Sequence, residues 1–280
     1  MILSFGSAAD GGVASSLLAL LSLLALAAYA GAVLLPERQV RSVRASLGLG
    51  WLVHAIAIAA DTVGLGSDQL GARFGFAPAL SVTLWLVIGV YLIESRSTPL
   101  SGGRRTLAAL GAAAVLLAWL FPGELRSQAV PRWAPLHWVM GIASYGLFGA
   151  AVLHAAMLSR ADRQMRQAPH KGAVAVAPLG LPLMRLERLT FRFVGAGFIV
   201  LTAALLLGWW FANPWRWDYK TVFSMLGWVV FAALLAGRRA FGWRGPHATR
   251  WLYAGAGLLL LAYVGSRFVF EVVLHRPIVN

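Results

Sequence analysis

Cysteine is absent from all 280 residues. Its absence excludes disulfides, thiolate-ligated metals, thiol relays and any cofactor attached through a C-x-x-C-H element. Acidic residues are scarce as well, ten Asp and Glu against 24 Lys and Arg, for a formal net charge of +14. Charged residues of both signs make up 12% of the chain, where a soluble domain carries about a quarter. So few carboxylates leave no acidic pair in a cleft, no catalytic triad and no His/Glu spacing of a metal hydrolase. Nothing in the chain supports hydrolysis or group transfer by side chains alone, and an accessory role is expected in place of an enzyme's.

What the chain has in excess is apolar sequence, 59% of its residues. Eight apolar runs lie near residues 13–35, 47–65, 77–93, 107–121, 134–158, 193–211, 221–236 and 251–272. A helix needs about 20 residues to cross a bilayer, so the fourth and seventh runs must borrow flanking residues. None alternates with the period of two that a barrel strand requires, and backbone groups in hydrocarbon must be satisfied internally. The expected fold is therefore all-α: a polytopic integral membrane protein of about eight transmembrane helices forming a single domain over 1–280. The first run follows Asp10 with no Lys or Arg before it and lacks a small-residue cleavage site, so it is expected to be a retained helix.

In a soluble protein a charge of +14 would suggest nucleic acid as a partner, but here the placement of the charge is the signal. Seventeen basic residues lie in the loops after the first, third, fifth and seventh runs, whereas the other connections and the C-terminal end hold Arg73, Arg126, Arg132, Arg216, Lys220 and Arg276. By the positive-inside rule both termini are expected outside the cytoplasm. The basic loops are topology signals and possible contacts to anionic lipid, and no nucleic-acid partner is expected. A basic connection of about 30 residues from Ser159 to Thr190 is expected to lie partly along the membrane surface.

Aromatic residues concentrate in one place. Trp209-Trp210-Phe211-Ala212-Asn213-Pro214-Trp215-Arg216-Trp217-Asp218-Tyr219-Lys220 carries four tryptophans, and the charge pattern places it on the outer side. His137, framed by Trp133 and Trp138, and His275 are expected at that face, with Arg132, Arg216, Lys220 and Arg267 around them. Imidazoles ligate iron, aromatic rings pack on a macrocycle, and Arg or Lys receives propionates, so the set suits haem. Tryptophan also gathers at the water boundary of any membrane protein, which leaves a ligand-free interface as the competing reading. Elsewhere His54 and Asp61 lie on one face of the second helix, either as an intramembrane ionisable pair or as satisfied contacts between helices. With an Arg267/Glu271 pair they offer a second reading, a proton- or ion-coupled transporter or membrane subunit. A structural partner without any haem is a third.

The segment Trp215-Arg216-Trp217-Asp218-Tyr219-Lys220 resembles the end of the tryptophan-rich "WWD" motif of the cytochrome c assembly family, haem-handling membrane proteins that include CcsA and CcmC. Leu136-His137 through Ser144-Tyr145, Arg185-Leu186-Glu187-Arg188, Gly242-Trp243-Arg244-Gly245 and Tyr263 through Glu271 extend the likeness, in order, to its YpjD-like inner-membrane branch. The resemblance implies a bacterial inner-membrane protein that assists cytochrome c assembly and binds haem b without covalent attachment. His137 matches the first external ligand, and His275 lies near the place of the second. Trp209, Trp210, Trp215, Trp217 and Asp218 would form the platform, and cytochrome c maturation components would be partners. The chain departs from the pattern at Phe211, at Tyr219-Lys220-Thr221 and at Ala236, where haem-exporting relatives place an intramembrane histidine. His54 would fill the other such position without its expected counterpart. These departures leave open holding haem without conducting it, or having lost it.

Overall fold

A computed structural model describes residues 13–36, 38–62, 73–97, 103–125, 133–167, 183–211 and 217–273. Eight helices follow one another among them: α1 (Val13–Leu34), α2 (Val40–Thr62), α3 (Phe76–Ser97), α4 (Arg104–Leu120), α5 (Ala134–Gln167), α6 (Leu183–Phe211), α7 (Tyr219–Phe241) and α8 (Gly245–Leu260). Apart from one antiparallel pairing of Arg73–Phe74 with Glu124–Leu125, the architecture is all-α. Six helices are long and apolar enough to cross a membrane, namely α1, α2, α3, α5, α6 and α7. α4 has 17 residues and α8 has 16, and both fall short by that measure.

The short seventh run becomes the 23-residue α7 because polar residues close it at both ends. Asp218 accepts the Thr221 backbone N–H at 2.7 Å, satisfying one of the donors that every helix start leaves over. At the far end Gly242 turns the chain with φ 64°, and the N–H groups of Gly242 and Trp243 both donate to the Gly237 carbonyl. Only glycine takes that left-handed conformation without strain.

α8 does not stop at Leu260 but widens. Leu261–Gly265 and Val269–Val273 are π-helical, separated by one α-turn at Ser266–Phe268. The Tyr145 hydroxyl of α5 donates to the Leu259 carbonyl just before the first wide turn. A side chain inserted into the hydrogen-bond ladder is a recognised cause of such local distortion.

The expected 30-residue connection between α5 and α6 is shorter than its apolarity suggested. α5 runs on through Gln167 and α6 begins at Leu183, leaving 168–182 outside the described residues. Residues 159–167 are polar, yet Arg, Gln, Met and Ala are good helix formers, so the backbone ladder continues after the apolar run ends.

The chain divides into two compact units, with α3 passing from one into the other at Ser81 and Val82. The first unit, 1–81 and 104–130, contains α1, α2, α4 and the start of α3. Its packing is stitched by polar groups that would otherwise be costly in hydrocarbon. Ser46 donates to the Ala28 carbonyl at 2.7 Å, and Arg105 to the Leu35 carbonyl at 2.9 Å. Buried His54 bridges the Tyr29 hydroxyl at 3.2 Å and the Ser81 hydroxyl at 2.7 Å.

The second unit, 82–103 and 131–280, holds α5, α6, α7 and α8 with the rest of α3. Phe148 and Phe231 stack at its centre with centroids 3.8 Å apart, amid Val194, Leu201, Leu234, Leu252 and Leu259. The outward faces are apolar too: Ile199 is 70% exposed and Leu206 60%. Side chains of that kind in water would form an aggregating patch, and in a bilayer they face acyl chains.

Candidate functional site

His137 sits in the first turn of α5, where its backbone N–H reaches the Trp133 carbonyl at 3.2 Å. Pro135 suits this first turn, since a helix start has no partner for its N–H. The half-buried His137 ring leans on the last two turns of α6. Its Nδ1 lies 2.9 Å from the Ala204 carbonyl oxygen, and its Cε1 lies against the backbone of Gly208. Gly208 is followed directly by Trp209 and Trp210, which stand in the last turn of α6 at 65% and 82% exposure. These two rings are therefore not core residues; they project from the end of α6, the helix against which the His137 ring packs.

Across the connection, Trp217 and Asp218 lead into α7, both exposed. The Asp218 Oδ1 is engaged as the helix cap described above. Lys220, in the first turn of α7, lies over the Tyr263 ring with Nζ 5.8 Å from its centroid, and Arg267 approaches the same ring at 5.9 Å. Two cations thus converge on one aromatic ring at the end of the unit where α7 begins. Lys220 is also within electrostatic range of His137. The second unit therefore brings together His137, Lys220 and Arg267 with the last residues of α6.

Of the remaining expected residues, Arg132, Trp215, Arg216 and His275 lie outside the described residues, as does the Glu271 side chain. His54 and Asp61 are not brought together. His54 is engaged with Tyr29 and Ser81, and Asp61 faces Arg73 at 3.5 Å. A seven-residue spacing puts two side chains near one helical face without making them partners.

Sequence reasoning missed the pairing of His154. It is buried, its Nδ1 donates to the Ala150 carbonyl at 2.7 Å, and its Nε2 meets Glu94 Oε2 of α3 at 2.6 Å, with the ring stacked on Phe193. The partner lies 60 residues earlier, and only the fold shows it. The Ala204 carbonyl and Gly208 were missed for the same reason.

Exposed indoles, an imidazole, and cations gathered at one end of a helical unit make a surface suited to a flat anionic ligand, and tryptophans at such an end also suit a membrane-water boundary. The chain matches the family described as "Cytochrome C assembly protein" over residues 13–274. It is similar to the cytochrome c biogenesis protein CcsA of Synechococcus sp. (strain JA-3-3Ab), 34% identical over 104 residues, 33% of this chain and 30% of that protein. The inner membrane protein YpjD of Escherichia coli (strain K12) is 32% identical over 162 residues, 56% of this chain and 60% of YpjD. A CcsA of Prochlorococcus marinus (strain NATL1A) is 34% identical over 86 residues, 29% of this chain and 27% of that protein. The chain spans less than two thirds of the length of these curated relatives. No solved structure matches it. Because the family match runs from the first helix to the last wide turn of the eighth, this multi-pass chain belongs to the cytochrome c assembly protein family.

Proposed function

We propose that this protein holds haem at the extracytoplasmic face of a bacterial inner membrane, in the service of cytochrome c biogenesis. The observation that carries the reading is His137: its Nδ1 is tied to the Ala204 carbonyl, its Nε2 has no hydrogen-bond partner among the described residues, and the ring rests against Gly208, directly before Trp209 and Trp210 in the last turn of α6. One ring nitrogen held by a backbone carbonyl and a second without a hydrogen-bond partner among the described residues is the arrangement a metal-ligating imidazole needs. The residues fit the group. Haem b bound here would be non-covalent, since the chain has no cysteine to attach it.

In this reading His137 and His275 would be the residues that hold the iron. Trp209, Trp210, Trp215, Trp217 and Asp218 form the platform, and Arg132, Arg216, Lys220 and Arg267 receive the propionates. The iron-porphyrin supplies the redox and ligand chemistry, while the chain binds, orients and shields it. The names of the relatives, cytochrome c biogenesis protein and inner membrane protein, support the process and the membrane. The alternating basic loops support both termini lying outside, and maturation components are the expected protein partners.

The test is a visible spectrum of detergent-purified protein from haem-replete cells. A Soret band that weakens strongly in His137→Ala is expected. Protein that is colourless and takes up no added hemin would overturn the reading.

A further inference from the structure

An imidazole has two nitrogens, and which of them is open decides whether it can ligate. The His137 Nδ1 lies 2.9 Å from the Ala204 carbonyl oxygen. A carbonyl can only accept, so Nδ1 carries the hydrogen, and in the neutral ring the lone pair is on Nε2. Four residues on, and so on the same face of α6, stands Gly208. A Cβ built there would lie 2.8 Å from the ring Cε1, 3.3 Å from Nδ1 and 3.7 Å from Nε2. The first of these distances is shorter than side chains tolerate, so the ring occupies the space that any other residue at 208 would fill.

We propose that the Ala204 carbonyl and Gly208 are the positioning residues of His137. The carbonyl selects the tautomer with Nε2 open, and the missing side chain at 208 lets the ring settle against α6 directly before Trp209. This assignment rests on the haem reading given above. It names the reason glycine stands at 208: closeness to the ring, not backbone conformation. Metal-bound imidazoles owe their orientation to such a partner on the second nitrogen, and losing it costs roughly 10-fold or more in ligand affinity.

Gly208→Ala tests it directly, because the three nearest atoms a new methyl would meet all belong to the His137 ring. The ring must move while the helix gains, since alanine is the better helix former. Gly195→Ala is the control: it lies on the same helix with no heavy atom within 4 Å of the added methyl. Wild type and the variants Gly195→Ala, Gly208→Ala and His137→Ala would each be titrated with hemin and melted in detergent. The expected result is that Gly208→Ala binds hemin roughly 10-fold more weakly, with a Soret and charge-transfer pattern shifted toward a five-coordinate, high-spin iron. Its melting temperature should stay at or above that of wild type, and Gly195→Ala should bind as wild type does. If Gly208→Ala binds and absorbs like wild type while His137→Ala loses the band, the positioning role is wrong and the haem reading stands. If His137→Ala binds hemin as wild type does, the haem reading itself fails. Weakened binding accompanied by a lowered melting temperature in Gly208→Ala would count against the positioning role, because the damage would then be general.

Discussion

His154 shows how a single side chain in the membrane is made tolerable. Its Nδ1 faces a carbonyl and its Nε2 faces a carboxylate, and two acceptors do not approach to 2.6 Å without a proton between them. Glu94 and His154 therefore satisfy each other as one unit. Removing Glu94 leaves the buried His154 Nε2 without this partner, and an unsatisfied buried polar group costs about 1–3 kcal/mol. Glu94→Ala is accordingly expected to lower the melting temperature of the detergent-purified protein measurably, and an unchanged melt would show that the contact contributes nothing. The same substitution should leave hemin binding at His137 intact, since the two histidines stand roughly 4.7 turns apart on α5 by sequence separation. His137 was legible in the sequence as a candidate, standing between two tryptophans after a proline. Its supports were not, because Ala204 and Gly208 are ordinary residues of an apolar run until α6 is packed against α5.

At the scale of the element, α7 owes its length to its ends. Asp218 is expected to serve two purposes, and its substitutions separate them. Asp218→Ala removes the cap and should cost about 1 kcal/mol of stability. Asp218→Asn keeps an oxygen for the Thr221 N–H and should melt as wild type does. Should hemin affinity fall in the asparagine variant with the melt unchanged, the charge of Asp218 is used by the ligand and not only by the helix. Each of the eight helices among the described residues overlaps an apolar run, because a hydrocarbon slab demands long apolar segments. The runs did not locate helix ends. Hydropathy marks where a helix leaves the bilayer, whereas its hydrogen-bond ladder stops where caps, glycines or prolines stop it, as Gln167 and Leu183 show for α5 and α6.

For the whole molecule, the absence of cysteine is an experimental convenience. A single introduced thiol has no background, so orientation can be read one loop at a time. Ser101→Cys is expected to resist a membrane-impermeant maleimide in intact cells and to react after permeabilisation, whereas Ser127→Cys is expected to react in both. The opposite pattern would invert the orientation drawn from the basic loops, and would put His137 on the cytoplasmic side. The elements proposed to hold haem all belong to the second compact unit, while His54 is engaged within the first. The widened end of the eighth helix bears on how relatives of this protein should be aligned. A π-turn accommodates one more residue than an α-turn between the same flanking helices. A one-residue gap between 261 and 273 in a relative therefore reads as a straightened turn, not as a trimmed loop. Side chains beyond that gap keep their places on the helix, whereas an alignment drawn without the gap would set each of them one residue, about 100°, out of register.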